Sequence, residues 1–401
     1  MSKTDILDAK KSNSTNKKKL MLIVPMLHQG GFEKVCVETA RILKDKYDIT
    51  ILIFSSEDIV FDINGLNVIS IDVPATDNKL MKVINVLRRV IKVRKYKKKL
   101  SIDYAYSFGI TASRINVLSR VGERVLTGLR GYTDLEDESY IDLIGKKSDV
   151  IVCCSKVIEE EVRSKFGYSN TAVLYNPYNL DRIKSLAVED VNDRPQKGDN
   201  KYIVTMSRED DLKGFWHLIK AFSIVARERE DARLVFIGDG SFERYKELAD
   251  KLGVLDKLIF TGVKSNPYPY LAMADMYILS SIHEGFPNAL VEAMALGIPV
   301  MATNCTSGPA EILSANMDEV SDKSRCYEAS FGRLIPALTE EPDFDSENIP
   351  EEDRALAGQI LDGLADENWI TTYGIKAKER AAYFNEESYK NNFVSIIESL
   401  K

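Results

Sequence analysis

The feature that most constrains the fold is a regular alternation of short apolar segments with segments of helical periodicity. Leu20–Pro25 and Ile49–Phe54 read as buried strands, and Gly31–Lys44 between them reads as a helix. Strands that alternate with helices build parallel sheets. Further strands are predicted at Val68–Val73, Asp103–Ser107, Val125–Leu129, Val150–Cys154 and Thr171–Leu174, with helices at Leu80–Lys99 and Thr111–Arg120. The first half of the chain is therefore predicted to form one parallel α/β sheet.

The alternation restarts after a polar segment, residues 188–200, which has the composition of a linker. The second series predicts strands at Tyr202–Met206, Leu234–Gly238, Leu258–Thr261, Met276–Ser280 and Ile298–Ala302, and helices at Phe215–Arg229, Phe242–Lys251, Pro287–Leu296 and Glu386–Leu400. Two such series predict an α/β protein of two Rossmann-like domains facing a cleft. Ligands of these sheets bind outside the carboxyl ends of the strands.

The predicted domain bounds follow from this pattern. Residues 1–18, rich in Lys, Ser and Asn, are set aside as a disordered tail. Residues 19–185 form the first domain, 186–198 the linker and 199–383 the second domain, and the last helix, 384–401, is expected to return to the first. Lys17–Lys19 followed by an apolar run imitates a signal peptide, but Pro25 interrupts the run and no cleavage site follows.

Composition narrows the class of protein. Hydrophobic residues make up 44% and charged residues 29%, as in ordinary soluble globular proteins. No apolar run approaches the roughly 18–20 residues of a membrane span. The five cysteines have no metal-site or disulfide spacing, which fits a reducing cytoplasm. Gly238-Asp239-Gly240 lacks the third glycine of a dinucleotide fingerprint and is interpreted as a tight strand–helix turn.

The most informative segment runs from Ser280 to Val300 and begins where a predicted strand ends. A turn carries Glu284 and Gly285, and Pro287 suits the first position of a helix. The free amides of Asn288, Ala289 and Leu290 would then face the cleft, where a helix N-terminus binds phosphate. Glu292 lies about one turn further along, within reach of a ribose diol beside that phosphate.

Two cations precede this segment in the chain. Arg208 follows the first strand of the second domain, and Lys213 lies five residues later, where the next helix is about to begin. Two cations that face a helix N-terminus form a clamp for a diphosphate.

Together these residues resemble the donor domain of retaining GT-B glycosyltransferases of family 4. Glu284 and Glu292 match that family's Glu–seven residues–Glu motif, and Arg208 with Lys213-Gly214 matches its Arg and Lys-Gly. The resemblance is specific over about residues 200–315. It is looser over 20–180, where His28–Glu33 resembles the family's glycine-rich first loop and Asn176-Pro177 its Asn turn.

The resemblance implies transfer of a sugar from a nucleotide diphosphate, most simply a UDP-sugar, with retention at the anomeric carbon. Arg208 and Lys213 would neutralise the departing diphosphate, and Glu284 would hold sugar hydroxyls. The donor site would also include Gly30, Gly31, Val263, Lys264, His283, Gly285, Phe286, Asn288, Ala289, Leu290 and Glu292. The family's first-domain His is absent; Ser107 or a backbone carbonyl would replace it, and Arg130 would lie on the acceptor side. His283 fits a catalytic role and a packing role equally.

No Asp-x-Asp follows a strand end, so an enzyme that needs no metal and no cofactor is expected. The acceptor would be a glycan or a lipid-linked precursor of a bacterial surface polysaccharide. Two alternatives stay open: a nucleotide-sugar epimerase or hydrolase on the same fold, and a non-catalytic sugar-binding protein.

Leu80–Lys99 is the second informative segment. Its apolar residues recur at helical spacing and are predicted to pack on the sheet. Ten Lys and Arg residues lie between Asp77 and Asp103 without an acidic residue. This basic face fits an anionic membrane surface. Nucleic acid is not favoured because aromatic interleaving and a binding motif are missing. The expected location is the cytoplasm, peripheral to the inner face of the cell membrane.

Overall fold

The computed structural model describes residues 17–28, 30–57 and 59–400 of the 401-residue chain. It divides into two compact units: one extends to Thr127 and includes Lys147–Asp149, and the other comprises Gly128–Lys146 and Val150–Lys401. Most of the predicted tail, residues 1–16, lies outside the described residues. The predicted domain and linker bounds remain predictions.

The first sheet has seven strands: β1 (Lys19–Val24), β2 (Asp48–Ile53), β3 (Val68–Ser70), β4 (Tyr104–Phe108), β5 (Arg124–Leu129), β6 (Val150–Cys153) and β7 (Thr171–Val173). Their order is β3-β2-β1-β4-β5-β6-β7, and the β1–β2, β1–β4, β2–β3 and β6–β7 pairs are parallel. The helices of this part are α1 (Gly31–Leu43), α2 (Lys79–Leu100), α3 (Ile110–Leu118), α4 (Glu138–Lys147), α5 (Lys156–Ser164) and α6 (Leu180–Ala187). Every strand predicted here is present, while the sequence pattern does not predict α4, α5 and α6.

The second sheet also has seven strands: β8 (Lys201–Met206), β9 (Ala232–Ile237), β10 (Leu258–Phe260), β11 (Met276–Leu279), β12 (Val300–Thr303), β13 (Tyr327–Ala329) and β14 (Gly332–Ile335). They are parallel except for the antiparallel β13–β14 pair. The helices are α7 (Phe215–Glu228), α8 (Glu243–Lys251), α9 (Tyr268–Leu271), α10 (Asn288–Ala295), α11 (Pro309–Leu313), α12 (Glu351–Ala365), α13 (Glu367–Ala381) and α14 (Glu386–Ser399). The sequence pattern does not predict the β13–β14 hairpin or helices α9, α11, α12 and α13.

The strand order of the second sheet, β10-β9-β8-β11-β12-β14-β13, reverses direction at β8. β8 pairs with β9 on one side and with β11 on the other. The connection after β8 leads toward β9 and β10, whereas the connection after β11 leads toward β12, on the opposite side of the sheet. In doubly wound sheets such a reversal opens a crevice at the carboxyl ends, where ligands bind. The ends of β8 and β11 are therefore the first place to look for a site.

Apolar packing on both sheets agrees with the predicted core. α7 buries a ring-rich face, including Phe215, Trp216 and Phe222, against the second sheet. Cys153, Cys154 and Cys305 are buried. Burial raises the pKa of Cys154 to about 12, which leaves almost no thiolate at neutral pH. These cysteines are packing residues.

The predicted apolar stripe of α2, Leu80, Val83, Ile84, Leu87, Val90 and Ile91, packs on the sheet only in part: Val90 packs against the core and Ile84 is partly buried. Leu80, Val83, Leu87 and Ile91 are exposed, and the residues that α2 buries are Asn85, Arg89, Val93 and Lys97. The buried polar groups are paired. Arg89 Nε donates to the Val73 carbonyl at 2.9 Å, and Lys97 Nζ lies 2.6 Å from Glu123 Oε1. The helix thus packs Val93, with Val90, Tyr96 and Leu100 partly buried, on the core beside these polar groups, and leaves the four aliphatic side chains exposed. Among the described residues, no helix is long and apolar enough to cross a membrane.

Candidate functional site

The centre of the candidate site is an ion pair between two loops that follow neighbouring strands. Lys213 ends a short 3₁₀ turn after β8, and Glu284 lies in the loop after β11. Lys213 Nζ is 2.8 Å from Glu284 Oε1, and the Ser281 hydroxyl donates to the same oxygen at 2.7 Å. Two residues 71 positions apart in the sequence, both predicted for the site, are therefore in contact.

The backbone holds the two loops in register. The Ile282 amide donates to the Leu212 carbonyl at 2.8 Å, and the Ser280 hydroxyl donates to the Lys213 carbonyl at 2.8 Å. Gly214 has a φ of +59°, and a Cβ there would lie 2.3 Å from the Ser280 carbonyl oxygen. Glycine is required because the two backbones approach more closely than any side chain allows.

Arg208 occupies a different position from the one that a two-cation clamp requires. Its side chain is 71% exposed, and Nη2 pairs with Asp210 Oδ2 at 2.9 Å within the same loop. The structure thus joins Lys213 to Glu284 and pairs Arg208 with Asp210. An exposed arginine on a loop has freedom to reorient, so the clamp remains a prediction.

The Gly238-Asp239-Gly240 turn packs closely against the loop that carries Arg208. A Cβ at Gly238 would lie 2.0 Å from the Ser207 carbonyl oxygen, and the Glu209 carboxylate accepts the Phe242 amide at 2.8 Å. This close packing accounts for both glycines without a dinucleotide.

Helix α10 begins at Asn288, shortly after Glu284 of the ion pair. Pro287 precedes the first turn, where Asn288 and Ala289 are partly exposed and Leu290 is buried. Gly285 shows why the preceding turn is tight: a Cβ there would lie 2.1 Å from the Arg130 carbonyl oxygen.

Side-chain amides tie the start of α10 to two earlier loops. Asn288 Oδ1 accepts from Asn176 Nδ2 at 2.9 Å and from the Tyr178 hydroxyl at 2.7 Å. Arg130 Nη1 in turn donates to Asn176 Oδ1 at 3.1 Å. Arg130, predicted on the acceptor side, is thus one member of a hydrogen-bond chain that ends on α10. Phe286 packs between the rings of Tyr175 and Phe384, with both centroid distances 5.2 Å.

Glu292 is buried in the second turn of α10, with 4% of its surface exposed. Burial raises the pKa of Tyr178 well above its usual range, and the negative charge of Glu292 adds to that shift. Glu292 is thus a buried carboxylate whose charge affects the Tyr178 hydroxyl.

Glu311 is a buried residue whose contacts the sequence analysis missed. Its carboxylate accepts the Lys156 amide at 2.8 and 3.0 Å and the Tyr175 hydroxyl at 2.5 Å. Lys156 is the first residue of α5, so the carboxylate caps a helix N-terminus, as the helix dipole favours. Burial nevertheless raises the pKa of Glu311. Its partners lie 155 and 136 positions away, which no local motif reveals.

The two ring nitrogens of His283 have different surroundings. Nε2 lies 3.2 Å from Glu340 Oε1. Nδ1 is enclosed and has no hydrogen-bond partner in the part of the chain that the structure describes. Buried polar atoms without a partner are rare and call for an explanation, such as a bound ligand or water.

The remaining residues predicted for the donor site are described by their own contacts. Gly30 caps the start of α1, where the Glu33 carboxylate lies so close that a Cβ at Gly30 would be 2.1 Å from it, and Gly31 is the first residue of that helix. Val263 is exposed. Lys264 pairs with Asp193 and lies 4.9 Å from the centre of the Tyr270 ring.

Ser107 is fully buried inside the first unit. Its hydroxyl lies 3.1 Å from Ser113 Oγ and 3.2 Å from the Leu126 carbonyl, and it accepts from Asn116 Nδ2 at 3.1 Å. Because the hydroxyl is enclosed and hydrogen-bonded on several sides, contact between Ser107 and an acceptor sugar would require this network to open.

One cluster has the composition of a metal site, namely His217, Glu352 and Asp353. His217 Nδ1 lies 2.6 Å from Asp353 Oδ1, and Nε2 lies 3.0 Å from the Thr339 carbonyl. Both nitrogens face oxygen atoms of the protein, so each already has a hydrogen-bond partner in place of a metal. Burial opposes the charge, but the Asp353 hydrogen bond and charge outweigh it and raise the pKa of His217. The cluster is thus a buried hydrogen-bonded contact between α7 and α12.

Comparisons with known proteins find glycosyltransferases. Residues 189–342, which include the ion pair and α10, match the family described as Glycosyl transferases group 1. An uncharacterized glycosyltransferase of Methanocaldococcus jannaschii is 28% identical over 63% of this chain, and the chain covers 64% of that protein.

A second relative is similar over almost its whole length. It is the N-acetylgalactosamine-N,N'-diacetylbacillosaminyl-diphospho-undecaprenol 4-alpha-N-acetylgalactosaminyltransferase of Campylobacter jejuni, 25% identical over 92% of this chain and 96% of that protein. Among solved structures, Anabaena HepE in complex with UDP and glucose superposes with a TM-score of 0.73 at 16% identity, covering 95% of this chain and all of that one. The fold is GT-B, with two Rossmann-like α/β domains, and the matches support a glycosyltransferase.

Proposed function

We propose that this protein is a retaining glycosyltransferase of family 4, which moves a sugar from a UDP-sugar to a glycan or lipid-linked acceptor in surface-polysaccharide synthesis. The observation that carries the proposal is the Lys213–Glu284 pair at the carboxyl ends of β8 and β11. It lies at the point where the strand order of the second sheet reverses and within the matched segment. The Campylobacter relative's name specifies a diphospho-undecaprenol acceptor, and the Anabaena structure holds UDP.

Lys213 has the geometry to serve the sugar and the diphosphate together. Its ammonium has three N–H donors, and one of them is directed at Glu284. The others are available to phosphate oxygens, so a single cation would join the leaving group to the carboxylate that holds the sugar hydroxyls. Neutralising charge that develops on the leaving group is the main electrostatic task of such a transfer. Arg208 would turn from Asp210 to the distal phosphate.

The start of α10 would receive the nucleotide. Asn288 and Ala289 present amides of the first turn, and a helix N-terminus favours phosphate. Glu292 would bind the ribose hydroxyls, and the free Nδ1 of His283 would hydrogen-bond to the donor sugar. Val263 and Lys264 would border the base, and Gly30 and Gly31 remain predictions for the donor site. Because fixed cations supply the positive charge, we propose that no metal is required.

The test compares two ion pairs on the same two strands. Lys213→Ala and Glu284→Gln disrupt the pair at the carboxyl ends. Lys201→Ala disrupts a pair at the amino ends, where Lys201 Nζ lies 3.4 Å from Asp275. We expect the first two to lower transfer roughly 100-fold or more, the scale for loss of one transition-state partner, and Lys201→Ala to leave transfer unchanged.

The donor is identified by thermal unfolding with UDP, GDP and ADP and their sugars, since a ligand that binds the native state raises apparent stability. Retention is read from the anomeric proton coupling of the first-formed product. Near-normal transfer in both carboxyl-end variants would refute the assigned site. Donor turnover without any acceptor would instead identify the epimerase or hydrolase alternative.

A further inference from the structure

A strap of irregular chain, residues 336–350, joins β14 to α12. All of its residues are described, and they form neither a helix nor a strand. Connections of this length without secondary structure are uncommon in compact domains and often serve a binding site. Leu338 is buried in the core beneath α7, and Phe344 packs against the same core. The strap is therefore packed on the fold rather than extended into solvent.

The strap is anchored to helix α7. His217 Nε2 lies 3.0 Å from the Thr339 carbonyl oxygen, and the fully buried Lys220 donates from Nζ to Asp343 Oδ2 at 2.7 Å. Burying an ammonium is unfavourable unless it is paired, so the Asp343 contact holds the strap in place. Helix α7 follows closely after the turn that ends at Lys213. The strap is thus fixed to the helix that succeeds one loop of the candidate site.

Phe344 connects the strap to that loop. The guanidinium carbon of Arg244 lies 4.1 Å from the centre of the Phe344 ring, and the Tyr245 ring centre lies 5.2 Å from it. Both residues of α8 bind Asp211: the Tyr245 hydroxyl donates to Oδ1 at 2.8 Å, and Arg244 Nη1 lies 3.5 Å from Oδ2. Asp211 opens the 3₁₀ turn that ends at Lys213. Loss of the Phe344 ring would therefore remove a contact from both side chains that hold this turn.

Glu340 connects the strap to the other loop of the candidate site. Its Oε1 lies 3.2 Å from His283 Nε2, and His283 directly precedes Glu284. A carboxylate accepts a hydrogen bond from Nε2–H, and in the neutral ring this leaves Nδ1 as an acceptor. Nδ1 is enclosed and has no partner among the described residues. Glu340 thus favours the tautomer in which this nitrogen can accept a hydrogen bond from a hydroxyl group.

We propose that the strap positions both loops of the donor site. Phe344 fixes the turn that carries Lys213, and Glu340 fixes the ring of His283. The strap has five acidic residues and no Lys or Arg, so its direct contact with a diphosphate would be repulsive. Both residues are therefore positioning residues that act through the loops. What the loops bind rests on the proposed function.

The first experiment removes the Phe344 ring with Phe344→Ala and keeps a ring with Phe344→Tyr. Phe166→Ala is the matched control, because Phe166 is also partly buried and Lys165 Nζ lies 5.0 Å from its ring centre. Hydrogen exchange of residues 207–215 is followed by mass spectrometry, and kcat and KM for sugar transfer are measured on the same samples. Urea unfolding establishes conditions under which every variant is folded.

We expect residues 207–215 to exchange roughly tenfold faster in Phe344→Ala than in wild type, because the turn that ends at Lys213 opens more often. The kcat should fall roughly tenfold to a hundredfold with the donor KM within about threefold, as for a group that acts mainly in the transition state. Phe344→Tyr and Phe166→Ala should resemble wild type in both measurements.

The second experiment compares Glu340→Ala with Glu340→Gln, which keeps an acceptor oxygen, and with Glu341→Ala, its exposed neighbour. Nitrogen-15 NMR of the imidazole ring reports the tautomer, and His283→Gln identifies the His283 signals. We expect the Nε2–H tautomer in all of these proteins except Glu340→Ala, which should show a mixture. The binding probes are UDP, UDP-glucose and UDP-N-acetylgalactosamine. Glu340→Ala should weaken the sugar-bearing probe that wild type binds by roughly threefold to tenfold, the contribution of one hydrogen bond, and leave UDP unchanged.

Wild-type exchange of residues 207–215 in Phe344→Ala, or a wild-type tautomer of His283 in Glu340→Ala, would overturn the proposal. A lower urea midpoint with wild-type exchange and kcat in the folded variants would show that the strap only stabilises the fold, which also overturns it. Neither exchange nor tautomer depends on sugar transfer. Failure of the wild type to bind any UDP-sugar or to transfer sugar would therefore refute the proposed function alone, and these two measurements would still decide the role of the strap.

Discussion

Replacing Gly214 by Ala tests the backbone contact that positions Lys213. Alanine at a φ of +59° is strained by about 1–2 kcal/mol. The new Cβ would also lie 2.3 Å from the Ser280 carbonyl oxygen and 3.2 Å from Ile282 Cδ1. A backbone oxygen cannot rotate away, so the two loops must separate by roughly 1 Å, and overpacking of this kind adds about 1–3 kcal/mol. We therefore expect about 2–5 kcal/mol less stability.

Gly253→Ala is the matched control. Gly253 has a φ of +70°, and a Cβ at this position would have no heavy atom within 4 Å, so only the strain of about 1–2 kcal/mol remains. Urea unfolding of the two variants separates strain from overlap. Transfer from the proposed UDP-sugar donor is measured on folded protein, where displacement of Lys213 by roughly 1 Å should reduce the rate about 100-fold in Gly214→Ala alone.

Equal stability losses in the two variants would refute this reasoning, because the overlap with Ser280 would then contribute nothing. A large stability loss with normal transfer would show that the position of Lys213 relative to Glu284 does not limit the reaction.

Three further expectations follow. Gly285→Ala should reduce transfer at least tenfold, because its Cβ would meet the Arg130 carbonyl at 2.1 Å; wild-type rates would contradict this. Transfer should persist in excess chelator, and loss restored by Mg²⁺ or Mn²⁺ would refute metal independence. The raised pKa of His217 means that its bond to Asp353 stabilises the fold below about pH 6.5 and that this stability is lost as pH rises through the folded pKa. Urea titrations at several pH values should show this decline in wild type, and His217→Gln should remove it along with about 3–5 kcal/mol.

The strand–helix alternation was enough to predict the parallel sheets, because buried parallel strands are short apolar runs that local sequence displays. The secondary structure after β12 was harder to predict from the sequence. α12 has an apolar stripe, yet Gly358 and Gly363 interrupt the helical signal. A Cβ at Gly363 would lie 2.5 Å from Met301 and 2.6 Å from Met276. This glycine is set by packing on strands far away in the chain, which no local pattern records.

Some features of the candidate site could likewise be predicted from the sequence, and others could not. Lys213 and Glu284 could be assigned to one site because each follows a strand, and neighbouring parallel strands end at one edge of the sheet. The pairing of Arg208 with Asp210 depends on a side-chain conformation within one loop. The cap that Glu311 provides for α5 depends on tertiary contact alone. Strand order thus locates residues, while their partners are fixed by three-dimensional packing.

The exposed aliphatic side chains of α2, namely Leu80, Val83, Leu87 and Ile91, show that helical periodicity alone does not determine which face of a helix is buried. Sequence analysis assigns the apolar face of a helix to the core because it assumes that the polar face lies in water. Here, carbonyls of Val73, Asn116 and neighbouring residues need donors, and the inward-facing Arg89 and Lys97 supply them. Burial lowers the pKa of Lys97 to about 8, against the opposing charge of Glu123. Burying cations while leaving aliphatic side chains in water is unfavourable on both faces of a helix. The pairing of Arg89 with the Val73 carbonyl and of Lys97 with Asn116 and Glu123 offsets the cost on the inner face. These polar contacts, together with the packing of Val93, determine which face of α2 lies on the sheet.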